Sequence, residues 1–90
     1  MNYIPDIPDI LQMMAKACPV KCRVSVYIDS EYPGRIRFNW DFKLRVKNSP
    51  LYKHCFEVPY IAVYNSTIVD HVQRSIIQIK SKIKTLAEIA

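Results

Sequence analysis

Glycine is nearly missing from this chain: Gly34 is the only one in ninety residues. Loops that cradle phosphates or dinucleotides use several glycines to bring backbone amides against the ligand, so no such cofactor loop is expected. Histidine stops at two, His54 and His71. No serine nucleophile elbow and no cluster of carboxylates is present, and a Cys–His pair would need a base within hydrogen-bond reach of a stabilised thiolate. The chain therefore reads as non-enzymatic, with no cofactor.

Long apolar runs are missing too. No stretch approaches the roughly 18 residues that span a bilayer. The opening Met-Asn-Tyr-Ile-Pro-Asp-Ile-Pro-Asp lacks the basic segment and apolar run of an export signal. The three cysteines, Cys18, Cys22 and Cys55, are an odd number, which suggests reduced thiols and a cytoplasmic location. Cys18 and Cys22 with His54 and Cys55 lack a second ligand pair at zinc spacing. The strand pattern also sends Cys22 inward and Cys55 outward, so no metal is expected.

Acidic residues are the scarcer charge, eight against thirteen lysines and arginines, for a net +5. The excess lies in residues 21–54, with eight bases to three acids; the flanking segments are near neutral. Half the residues are apolar, enough for a folded globule with one modest core, and residues 1–90 read as one domain.

The strongest pattern runs from Arg35 to Lys47, where apolar and polar residues alternate without a fault. Successive side chains of a strand point to opposite faces, so this reads as one long, half-buried strand. Ile36, Phe38, Trp40, Phe42, Leu44 and Val46 face inward. Arg35, Arg37, Lys43, Arg45 and Lys47 face outward beside Asp41. A shorter alternation over Lys21–Asp29 precedes it, and Pro33-Gly34 suits the centre of a type II turn. Placing Asp29 opposite Arg35 sets Ile28 against Ile36, Val26 against Phe38, Val24 against Trp40 and Cys22 against Phe42. The polar side then pairs Arg23 with Asp41 and Tyr27 with Arg37, the latter as a cation–π contact.

Asn48-Ser49-Pro50 marks a second turn, and a third strand follows from about Lys53 to Val58. Pairing Val46 with His54 would set Lys43 opposite Glu57. Pro59, with no amide hydrogen, makes this strand an edge or ends it, and residues 60–64 read as an irregular extension.

Helices bracket the strands. Asp6 and Pro8 suit a helix start, and Ile7, Ile10, Leu11, Met14 and Ala17 follow at helical spacing until Pro19. The last helix opens at Asn65-Ser66-Thr67, with Thr67 and Asp70 as a capping box, and runs to about Glu88. Asn65-Ser66-Thr67 is also a glycosylation sequon, but capping suits it better without an export signal. Val69, Val72, Ile76, Ile79, Ile83 and Leu86 form its seam, and Ile68, Ile77 and Ile89 widen the stripe towards packing on the sheet. The same seam, if left uncovered, would make a homodimer contact, with self-assembly as a third functional reading. The expected fold is α+β: a three-stranded antiparallel meander with both helices on its apolar face, in the order α-β-β-β-α.

This element order resembles that of the double-stranded RNA-binding domain. That family carries a Lys-rich cluster at the start of its last helix, whereas Asn65-Ser66-Thr67-Ile68-Val69-Asp70 stands here. Size and element order are also similar to small inhibitors encoded by bacteriophages and mobile elements, such as some anti-CRISPR proteins. That resemblance implies binding to a protein or nucleoprotein target.

The functional signal is the basic face. Lys21, Arg23, Arg35, Arg37, Lys43, Arg45 and Lys47, with Tyr27, and with Tyr32 at the hairpin tip, are the expected partner-binding residues, and Tyr52 is a further aromatic candidate. An acidic protein or nucleoprotein is the first expected partner. Direct RNA or DNA binding through the same cations is the alternative, held second because Phe38, Trp40 and Phe42 point inward and leave only Tyr27 for base stacking.

Overall fold

The computed structural model describes residues 4–28 and 34–89. The order is α1 (Ile7–Ala17), β1 (Cys22–Ile28), β2 (Arg35–Phe42), β3 (Tyr52–Pro59), a 3-10 turn η1 (Tyr60–Tyr64) and α2 (Thr67–Ile89). The three strands form one antiparallel sheet in the order β1-β2-β3. The fold is thus α+β, α-β-β-β-α, as the hydrophobic periods indicate.

Local chemistry explains the boundaries. Asp6 accepts the Asp9 amide at 2.9 Å, and Asp9 reaches back to the Asp6 amide, closing a capping box ahead of α1. Pro8 lies in the first turn, where its missing N–H is harmless. At α2, Asn65 Oδ1 accepts both the Thr67 amide at 3.0 Å and the Thr67 hydroxyl. The residue fixing this helix entry is thus Asn65. Residues 60–64, expected as an irregular extension, form η1.

The β1–β2 register matches the alternation residue for residue: Cys22–Phe42, Val24–Trp40, Val26–Phe38 and Ile28–Ile36. Asp29 and the turn residues 30–33, including Tyr32, lie outside the described residues.

Two expectations fail beyond Phe42. The strand ends there, so Lys43, Arg45 and Lys47 belong to the connection and not to the sheet. Leu44 stays buried, but Val46, expected inward, is 48% exposed. The β2–β3 register also differs from the expected one: Trp40 faces His54 and Arg37 faces Glu57. The expected Val46–His54 and Lys43–Glu57 pairs assumed a tight turn at Asn48-Ser49-Pro50. Instead residues 43–51 form a wider loop, with Asn48 in the left-handed region at φ 62°, a conformation asparagine tolerates. Ser49 Oγ accepts the Leu44 amide and donates to the Pro50 carbonyl, both at 2.9 Å. The observed register is the one that stacks rings. Phe38 lies on Phe56 at 5.1 Å and Phe42 on Tyr52 at 5.6 Å between centroids.

Both helices bury their apolar stripes against the inner face of the sheet. Ile10 and Met14 of α1, Phe38, Trp40 and Phe42 of β2, and Ile68, Val72 and Ile79 of α2 meet in one core. Within the α2 seam, Val72, Ile79 and Ile83 are buried, and Val69, Ile76 and Leu86 pack against that core. Ile77 and Ile89, expected to widen the packed stripe, point to solvent.

Candidate functional site

The outer face of the sheet can be read as a grid. Pairing through β2 lines up Arg23–Asp41–Lys53, Ser25–Asn39–Cys55 and Tyr27–Arg37–Glu57, with Arg35 beside Pro59 at the end. Arg23, Tyr27, Arg35 and Arg37 therefore share the outward face, as their alternation requires.

The cations on this face are unequal. Arg37 Nε donates to Glu57 Oε1 at 2.7 Å, and its Nη2 donates to the same oxygen. Its Nη1 donates to the Tyr27 hydroxyl at 2.8 Å, and the guanidinium lies 5.5 Å from that ring's centre. Glu57, and after it Tyr27, hold Arg37 more firmly protonated than usual. Arg35 Nε is 3.4 Å from Glu57 Oε2. One carboxylate thus compensates two arginines, and the positive field at this end of the sheet is weakened. Sequence reasoning gave Glu57 to Lys43 and so missed this.

The opposite end differs. Lys21, Arg23 and Lys43 surround a shallow hollow of about 440 Å³, completed by Cys22, Asp41, Phe42 and Leu51. Leu51 is 58% exposed, an apolar side chain left at the rim of a cationic patch. Among the described residues, no lysine or arginine at this hollow makes an ion pair. Arg23 and Asp41 are cross-strand neighbours, yet Asp41 Oδ1 is buried without a hydrogen-bond partner. Lys47 is exposed on the loop. Arg45 Nη2 donates to the Pro19 carbonyl at 3.2 Å, tying the loop to the α1–β1 connection. Tyr52, the second aromatic candidate, is half-buried against Phe42. Leu51 and Lys53 had no signal in the sequence, because the assumed β3 register placed them elsewhere.

Cysteine and histidine are dispersed. Cys18 and Cys22 are half-buried and Cys55 is exposed, all three as free thiols. Burial, then the hydrogen bond that the Cys22 thiol makes to Cys18, pushes the Cys22 thiol up to about 11, which makes it a poor nucleophile. No group of three metal-ligating side chains occurs among the described residues. His54 stacks obliquely on Trp40 with its Nε2 buried and unbonded. Among the described residues no helix is long and apolar enough to cross a membrane.

No protein-family model matches this chain, and neither a curated protein nor a solved structure matches it significantly.

Proposed function

We propose that this chain is a non-enzymatic binding protein that docks on an acidic protein or nucleoprotein surface through the Lys21–Arg23–Lys43 end of its sheet. One observation carries the reading: three cations that make no ion pair among the described residues ring a hollow whose rim carries the exposed apolar side chain of Leu51. Such a patch suits an acidic segment that brings an apolar side chain with it, since arginine and a partly buried apolar anchor make the strongest interface contacts. A nucleic-acid reading is weaker on this geometry. Glu57 interrupts the row of arginines that would follow a phosphate backbone, and the ring of Tyr27 is engaged by Arg37. An inhibitor or adaptor working among cytoplasmic proteins, as mobile elements encode, would need only this surface.

The test is fluorescence anisotropy on two sets of probes at two salt concentrations. One set is acidic peptides containing a single aromatic residue; the other is single- and double-stranded DNA and RNA. Peptide binding that Arg23→Glu/Lys43→Glu removes, with flat nucleic-acid titrations at about 150 mM salt, supports the proposal. Nucleic-acid binding with a log–log salt slope near −0.9 per neutralised phosphate of duplex DNA would make the alternative correct.

A further inference from the structure

The sheet has two edges, and they are not alike. On β3, Lys82 reaches across from α2 and its ammonium donates to the Lys53 carbonyl at 2.7 Å. Pro59, at the far end of that strand, has no amide to offer. A charged side chain laid on the edge and a terminal proline are the devices by which proteins stop edge strands from recruiting partners.

On β1 neither device is present among the described residues. Cys22–Ile28 contains no proline or glycine and one charge, Arg23. Among the described residues no side chain bonds to its backbone. Its apolar side is also incompletely covered. Val24 and Val26 are only half-buried beside the fully buried Trp40 and Phe38, and Ile28 is 49% exposed where its partner Ile36 is 2%.

We infer that β1 pairs antiparallel with β1 of a second copy of this chain, joining the two sheets into one of six strands. The strand's own sequence selects the occupant. A two-fold axis at Ser25 matches all seven residues: Ser25 with its copy, Val24 with Val26, Cys22 with Ile28, and Arg23 with Tyr27. Apolar residues then meet apolar residues, the cross-strand pairing that stabilises sheets, and each Arg23 meets a neutral Tyr27 in place of a like charge. A two-fold axis at Arg23 would instead set like charges face to face. The pairing keeps both outer faces on the same side of the joined sheet. Its two basic hollows then sit at opposite ends, although the dimer does not depend on what those hollows bind.

The experiment is multi-angle light scattering of the full chain from about 1 µM to about 1 mM, with an amide-shift dilution series by NMR. The wild-type protein should pass from monomer to dimer, with the concentration-dependent shifts at Val24, Ser25 and Val26. Ser25→Lys and Ser25→Glu should each weaken association at least about tenfold while keeping the wild-type circular dichroism. Mixing the two variants should restore the dimer, because the opposed charges then attract. A monomer throughout the range, or a dimer whose shifts fall on the exposed α2 residues Ile77 and Ile89, would overturn the inference. So would like-charged variants that associate as well as wild type. Should either variant misfold, the wild-type dilution series decides alone.

Discussion

The Trp40 indole N–H donates to the Met14 carbonyl at 2.9 Å inside the core. This bond joins the middle of β2 to the last turn of α1, where helix carbonyls begin to run short of main-chain donors. It also satisfies the one polar atom of a side chain with no solvent exposure.

Trp40→Phe is therefore expected to destabilise the protein by more than its lost volume. The Met14 carbonyl would lose its indole donor, at a cost of about 1–3 kcal/mol, and a void would be added. Urea unfolding should show a lower midpoint with little change in slope. An unchanged midpoint would show that the bond is dispensable.

Leu44 and Val46 belong to the same run of alternation but differ in surroundings. Leu44→Ala should cost about 2–5 kcal/mol as a core truncation. Val46→Asp should stay within about 0.5 kcal/mol, as surface changes usually do. Equal losses at both positions would mean that the alternating strand continues past Phe42.

His54 gives stability a pH dependence. Burial, and then the charge of Lys82, hold its pKa below the ordinary 6.5. As pH falls, the unfolded chain takes up the proton first. The stability is therefore whole above the unfolded value and is lost as pH drops through the lower folded value. Denaturant midpoints measured between about pH 7.5 and pH 5 should fall for wild type and fall less for His54→Gln. Parallel profiles would remove His54 from the acid response.

Thiol chemistry should separate the three cysteines. Cys55 is exposed, whereas the Cys22 thiol, raised to about 11, has about one thousandth of its population as thiolate at pH 8. Aromatic disulfide reagents should modify Cys55 first and Cys22 last, with Cys22 released on unfolding. Mass spectrometry of early time points would reveal the opposite order.

Removing Glu57 should strengthen the positive field. Glu57→Gln frees both Arg35 and Arg37, so the variant should elute later from a heparin column with its melting temperature nearly unchanged, because the pairs are solvent-exposed. Identical elution would show that this carboxylate does not mask the face.

Much of the fold is written in the periodicity. Strict alternation with two charge-compatible pairs was enough to set the β1–β2 register, and helical spacing between Pro8 and Pro19 was enough to place α1. The β3 register was not legible in the same way. Asn48-Ser49-Pro50 carries the chemistry of a tight turn, yet the chain leaves the sheet at Phe42 and returns only at Tyr52. Alternation reports which way side chains would point on a strand, and it does not report where pairing stops. The observed register is the one that stacks Phe38 on Phe56 and Phe42 on Tyr52, contacts between strands that alternation along one strand does not report. The candidate site inherited that error. Its cations were visible, but Glu57 as their counter-ion and Leu51 as their apolar neighbour became apparent only with the pairing.

The loop from Lys43 to Leu51 separates what this protein must keep from what it is free to vary. Leu44 and the Ser49 hydroxyl fasten its base, while Lys47 and Asn48 are exposed at its outer bend. Lengthening such a loop is cheap, about 0.6 kcal/mol for each doubling. A lineage could therefore insert residues at Lys47–Asn48 and reshape this exposed bend repeatedly, while every ring in the core stayed in register. The same position is where a designer would graft a foreign recognition peptide.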